Sequence, residues 1–214
     1  MVAAGAEGPL VSLTFASHGA PSLTPRLRIG DLEQWAGIMR ALVVVESSFG
    51  NSRAVAEALA EGLAEGVGEA EVRSVGTAPR EFAGIDLLVV GGPTHAFGMS
   101  RDQTRADAVR QGAPVESSGP GIREWLADLD PPAGLPIATF DTRVAKVRHL
   151  PGSAARGAAR LLRRRGCVLV AGPESFFVVD TTGPLVEGEL ARAREWGAGV
   201  ARDARAGAAR RSPS

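Results

Sequence analysis

Ala41-Leu42-Val43-Val44-Val45 is an unbroken apolar run ending in three β-branched residues. Such a run suits a strand buried on both faces, as in a parallel sheet. The polar stretch Glu46-Ser47-Ser48-Phe49-Gly50-Asn51-Ser52 follows it directly. Val55, Leu59, Leu63 and Val67 then recur every four residues, with Ala56 and Ala60 beside them. That spacing is the apolar stripe of a helix, and Gly66 and Gly68 supply its stop. A buried strand that feeds a helix through a short polar loop calls for a second parallel strand to complete the unit.

The alternation continues down the chain. Residues 71–75 and the strongly apolar 85–91 read as the second and third strands. Residues 121–129 read as a helix, with Ile122, Trp125 and Leu126 on one face and Pro131-Pro132 as its stop. Residues 135–140 form a fourth strand. Residues 153–165 form an Ala/Arg/Leu helix capped by Ser153 and ended by Gly166. A fifth strand, residues 167–170 and 175–179, is interrupted at Ala171-Gly172-Pro173, and residues 188–205 form the closing helix. The polar segment 101–119 holds a short helix near residues 105–111. Five strands alternating with helices imply right-handed crossovers and a doubly wound parallel sheet. Ligands of such sheets lie outside the carboxyl ends of the strands, so the loops after strands one, three and four are where chemistry is expected.

The ends differ from this middle. Residues 1–38 are rich in Gly, Ala, Ser and Pro without sustained periodicity, and read as a flexible or loosely docked extension. Residues 39–205 read as the domain, and 206–214 as a disordered tail. Hydrophobic residues make up 44% and charged residues 22% of the 214, a globular mix. Basic and acidic residues balance at 24 each, so no net field draws the chain to nucleic acid or to membrane. The lone cysteine, Cys167, cannot form an internal disulfide and fits a reducing compartment. No run approaches the roughly 20 apolar residues of a membrane span. The first basic residue, Arg26, lies too far in for a secretory signal, so a cytoplasmic location is expected.

The first loop has three hydroxyls, a glycine and an asparagine at the start of a helix, where free N–H groups and the helix dipole favour a phosphate. It lacks the Gly-Lys-Ser/Thr of a P-loop and the glycine spacing of a dinucleotide fold. An ordinary serine-capped helix is the alternative reading. Position by position, Val43, Val44, Val45, Glu46, Ser47, Ser48-Phe49, Gly50, Asn51, Ser52, Arg53-Ala54-Val55, Ala56, Glu57-Ala58, Leu59 resembles the phosphate loop of the flavodoxin family. Val45 stands where that pattern has an aromatic, and Ser52 where it has Thr. The third-strand loop Gly91-Gly92-Pro93-Thr94-His95-Ala96-Phe97-Gly98 and the fourth-strand loop Phe140-Asp141-Thr142-Arg143 extend the resemblance across about residues 39–205.

The resemblance implies an α/β, flavodoxin-like doubly wound five-stranded parallel sheet of order 2-1-3-4-5 in three αβα layers. It implies FMN as cofactor. Ser47, Ser48, Phe49, Gly50, Asn51 and Ser52 would lie around the phosphate. Pro93, Thr94, His95, Ala96, Phe97 and Gly98 would cover one face of the ring, with Gly91 and Gly92 turning backbone toward it. Asp141, Thr142 and Arg143 would meet its edge, Asp141 and Arg143 otherwise forming an ordinary surface pair. The implied work is electron transfer or NAD(P)H-dependent quinone reduction, with a redox protein or a small-molecule electron acceptor as partner, as a monomer or homodimer. No catalytic side chain and no metal are called for. Electron-carrying members flank the flavin with Trp and Tyr, whereas this chain has no Tyr, and Trp35, Trp125 and Trp196 fall outside the three loops. Stacking would rest on His95, Phe97 and Phe140. A flavin-free binding or regulatory module is the alternative, and a phosphate-ester enzyme lacks the clustered acids to hold a metal.

Overall fold

A computed structural model of the protein describes residues 10–12, 26–28, 38–95, 98–114 and 119–211. The chain divides into two compact units, residues 1–38 and 39–214. In the first, β1 (Leu10–Ser12) and β2 (Arg26–Arg28) pair antiparallel. The rest of the expected flexible extension, Ile38 apart, lies outside the described residues.

The second unit runs β3 (Met39–Val45), α1 (Asn51–Val67), β4 (Gly68–Ser74), β5 (Leu87–His95), β6 (Gly98–Met99), α2 (Asp102–Arg110), α3 (Ile122–Ala127), β7 (Pro136–Val144), α4 (Ala154–Arg164), β8 (Val168–Leu169), β9 (Glu174–Val178) and α5 (Glu189–Arg211). The sheet order is β4-β3-β5-β7, with β8 and β9 both on the outer side of β7 and every one of these pairings parallel. Since β8 and β9 are two halves of one interrupted strand, this is the order 2-1-3-4-5. The antiparallel β6 folds back on the end of β5.

The period of two in each strand builds the three layers. Val43, Val45, Leu87, Val89, Ala138 and Phe140 face α1 and α5 in one core. Leu42, Val44, Leu88, Val90 and Ile137 face α3 and α4 in the other. A central strand must therefore be apolar at every position, which the run at residues 41–45 satisfies.

Helix α1 packs directly on α5. A Cβ on Gly62 would run into the backbone carbonyl of Arg194, one on Gly197 into that of Leu59, and one on Gly66 would meet Ala201 Cβ at 2.6 Å. These glycines let two helix backbones approach, and long dispersion contact replaces large side chains. The closing helix runs to Arg211, into the stretch expected to fray, because Ala201, Ala204 and Gly207 continue its buried face. Strand β4 starts at Gly68, earlier than its sequence pattern suggests. Gly68, at φ +100°, turns the chain from helix to strand with no intervening loop.

Gly62→Ala is expected to destabilise the protein by roughly 1–3 kcal/mol through overpacking, although alanine favours a helix by about 1 kcal/mol. Gly76→Ala, where a Cβ meets nothing within 4 Å, should be close to neutral. Urea denaturation of the two variants checks this.

Candidate functional site

The loops after β3, β5 and β7 open onto one cavity of about 210 Å³ at the carboxyl edge of the sheet. Ser47, Ser48, Phe49, Asn51 and Ser52 line it from the first loop, Pro93, Thr94 and His95 from the second, and Thr142 and Arg143 from the third. Val144, Val178 and Thr181 complete the wall.

Gly50 precedes α1 at φ +85°, and a Cβ there would meet nothing within 4 Å. Its backbone angle, not space, is what asks for glycine. The first turn of α1 carries no acidic side chain, and its N-cap residue, Gly50, has no side chain to cap it. The N–H groups of Asn51 and Ser52 find no acceptor among the described residues. Arg53 N donates to Ser47 Oγ at 3.2 Å, which fixes the loop against the helix. Ser52 Oγ and Thr142 Oγ1 are 2.7 Å apart, joining the first loop to the third. Asn51 Nδ2 donates to Thr182 O at 3.1 Å and so ties down the turn that carries Thr181. A Cβ on Gly183 would press on that Asn51 side chain at 2.7 Å. Three buried polar atoms of wall residues have no partner among the described residues: Ser48 Oγ, His95 Nε2 and Arg143 Nε. Orphaned groups of that kind are rare in folded proteins and suit a ligand that supplies the missing bonds.

The third loop departs from its expected role in two places. Asp141 is fully buried and does not line the cavity. Its Oδ2 accepts from Thr94 Oγ1 at 2.9 Å, Ser153 Oγ at 2.5 Å and Ala155 N at 3.1 Å. Thr94 Oγ1 in turn accepts from Ala154 N at 2.9 Å. The carboxylate thus caps α4 and binds that helix to β5 and β7. Arg143 reaches the cavity wall, but its guanidinium donates to the carbonyls of Val147, Leu150 and Gly152 at 3.1–3.2 Å and braces the following turn.

The glycines of the second loop also serve packing. Gly91 pairs in register with Phe140, and a Cβ there would run into the Phe140 ring. Gly92 lies under Glu46, with its Cβ position 3.1 Å from Glu46 Cβ. Phe140 is itself core, edge-on to Phe176 with ring centroids 6.1 Å apart, and cannot stack in the cavity. Trp125 packs against Phe82, and Trp196 against Phe176. Among the described residues, Phe49 and His95 are the aromatic side chains that line the cavity. Ala96, Phe97 and Trp35 lie outside the described residues. Gly50 and Gly98 are in place on neighbouring walls.

Glu46 was not expected at the site. Its Oε2 accepts from Ile122 N at 2.9 Å and caps α3, while Oε1 is buried without a partner. Behind it Arg105, only 1% exposed, donates to Ser100 Oγ at 2.9 Å and pairs with Glu124 at 3.1 Å and with Asp102. Burial lowers the His95 pKa below its ordinary 6.5, Glu46 opposes that shift and Arg105 adds to it. A neutral imidazole is therefore favoured, with one donor and one acceptor nitrogen. Among the described residues no group of three or more His, Cys, Asp or Glu could hold a metal.

Neither the family models nor the curated proteins include a match to this sequence. Solved structures do match in three dimensions. A flavodoxin from the domain Archaea superposes with a TM-score of 0.54 at 19% identity, over 78% of this chain and 99% of that one. Oxidised Flavodoxin 2 from Bacillus cereus gives 0.55 at 18% identity, over 76% and 98%. The chain shares the flavodoxin fold. The flavodiiron core Flv1 from Synechocystis sp. PCC6803 matches with a TM-score of 0.52 at 16% identity, this chain spanning 40% of its length. On this flavodoxin scaffold the cavity lies where the sheet order reverses, between β3 and β5. No described helix is long and apolar enough to cross a membrane.

Asp141→Ala would leave two hydroxyls and an amide without their shared acceptor. It is expected to destabilise by on the order of 3 kcal/mol or more, with Asp141→Asn costing less; urea midpoints check the order. For His95 the folded state holds its proton less tightly than the unfolded chain. Its contribution is fully present above pH 6.5 and is lost as pH falls through that value to the lowered pKa. His95→Asn should flatten that part of the stability curve, measured between about pH 8 and about pH 5.

Proposed function

We propose that the protein binds FMN non-covalently in the cavity between the β3, β5 and β7 loops and works in electron transfer. The observation that carries this reading is the convergence of the three loops on one wall that holds orphaned buried polar atoms, Ser48 Oγ and His95 Nε2.

The start of α1 suits a phosphate. Its free N–H groups, the hydroxyls of Ser47, Ser48 and Ser52, and an uncompensated dipole end supply donors and positive potential without a cation. Pro93, Thr94 and His95 form the side along which a ring system would lie, and Phe49 offers a second aromatic edge. Thr142 keeps hydroxyl bonding capacity to spare beyond its bond to Ser52. FMN, when bound, supplies hydride and one-electron chemistry that none of these side chains provides. The chain's part is to bind it, orient it and set its surroundings. A neutral His95 adds no cation beside the ring, and the carboxylate of Glu46 adds negative charge behind it. Electrons would pass to a redox protein or a small-molecule acceptor, and a cytoplasmic setting fits the single cysteine.

Titration of the desalted protein with FMN is expected to quench flavin fluorescence at about one FMN per chain. Ser47→Asp, which puts a carboxylate at the phosphate position, should weaken binding by about tenfold or more, or roughly 1.4 kcal/mol. Folded protein that leaves FMN fluorescence unchanged would sink the flavin reading in favour of a flavin-free binding module.

A further inference from the structure

Beside the flavin cavity, and sharing His95 with it, lies a larger groove of about 720 Å³. Its wall carries Arg101, Arg123, Arg156, Arg160 and Arg164 and, among the described residues, no acidic side chain. This is unusual in a chain whose charges balance at 24 against 24. Of the described arginines outside the groove, Arg40, Arg53, Arg73, Arg80, Arg105, Arg110, Arg192 and Arg194 each pair with a carboxylate, and Arg143 and Arg165 donate to backbone carbonyls. In the groove Arg123 is anchored by donating to Ser100 O at 3.1 Å and Met99 O at 2.8 Å. The side chains of Arg101, Arg156, Arg160 and Arg164 have no carboxylate partner among the described residues.

The helix that carries three of them does not need them. Arg156, Arg160 and Arg164 recur every fourth residue and share one face of α4, opposite the buried Ala154, Ala155, Ala158, Ala159 and Leu162. Like charges at that spacing destabilise a helix. A basic last turn complements the dipole at Arg163 and Arg164, but Arg156 sits in the first turn, at the positive end. Arg165 is used differently, donating to the carbonyls of Leu126, Ala127 and Leu129. The row of guanidiniums spans about 12 Å along the helix. Met99 and Leu161 make the floor apolar.

We propose that this groove binds a nucleotide bearing at least two phosphates. The arginines take the phosphates, the Met99–Leu161 floor takes the base, and one end of the ligand lies toward His95. Guanidiniums bind phosphate bidentately, and a concave volume of this size suits a small molecule better than the face of an acidic protein. Binding stands on the groove alone. Only the ligand's role as a redox reactant rests on the FMN reading.

The test is isothermal titration of the full chain at low salt, with ADP and inorganic pyrophosphate as probes. ADP is expected to bind more tightly than pyrophosphate, with affinity falling as salt rises. Arg156→Glu with Arg160→Glu should weaken ADP at least tenfold. Arg163→Glu, on the same helix beside Arg160 and Arg164 but off this groove's wall, should weaken it markedly less. FMN titration of the same proteins should be unaffected. No ADP binding, ADP no tighter than pyrophosphate, or equal loss in the Arg163→Glu control overturns the proposal. Absent ADP binding in protein that still takes FMN leaves the flavin reading intact, and the converse result sinks that reading alone.

Discussion

The Asp141 carboxylate holds the working edge of the molecule together. It is fully buried at the end of β7 and accepts from a hydroxyl on β5, the cap hydroxyl of α4 and an amide in that helix's first turn. A buried carboxylate is costly without compensating bonds; here all three reach Oδ2 while Oδ1 has no partner, and at a helix N-terminus the dipole adds to those bonds. Because one oxygen serves three donors, the positions of β5, β7 and α4 are coupled. The wall of the cavity and the arginine face of α4 therefore have a common origin.

A similar economy appears one loop away. Glu46, at the end of β3, caps α3 through Ile122 N and faces the Gly92 backbone. Together the two carboxylates attach α3 and α4 to the carboxyl ends of β3 and β7. Both helices on that side of the sheet thus start at its functional edge. On the other side glycines bring α1 and α5 backbone to backbone, and the carboxylates there, Glu61 and Glu65, pair with Arg194 at the exposed rim of the contact.

Much of the fold was legible because apolar periodicity is local. The run at residues 41–45, the four-residue spacing from Val55 to Val67 and the break at Ala171-Gly172-Pro173 each mark an element by themselves. The three loops that meet at the cavity were legible for a related reason: in a doubly wound sheet the carboxyl ends of the strands lie on one edge. The partners of the loop residues were not. Gly91 reads as a glycine for a ligand until its register opposite Phe140 is known. Arg143 reads as a ligand contact until the turn at residues 147–152 folds over it. Thr181 carries no sequence signal, since the turn bearing it is held by Asn51 from the far end of the domain.

By itself the sequence determined which segments are strands and helices, their order, and the edge to which polar loops are delivered, since these follow from period and connection handedness. Only the tertiary structure decided which polar groups are consumed in holding that edge and which remain free. Asp141 Oδ2 and the terminal nitrogens of Arg143 are consumed, while Ser48 Oγ and His95 Nε2 stay buried without partners and Arg156, Arg160 and Arg164 line the open groove. The reason is physical: a polar side chain in a buried setting takes whatever partner the packing brings within about 3 Å, and that partner is set by contacts far apart in the chain.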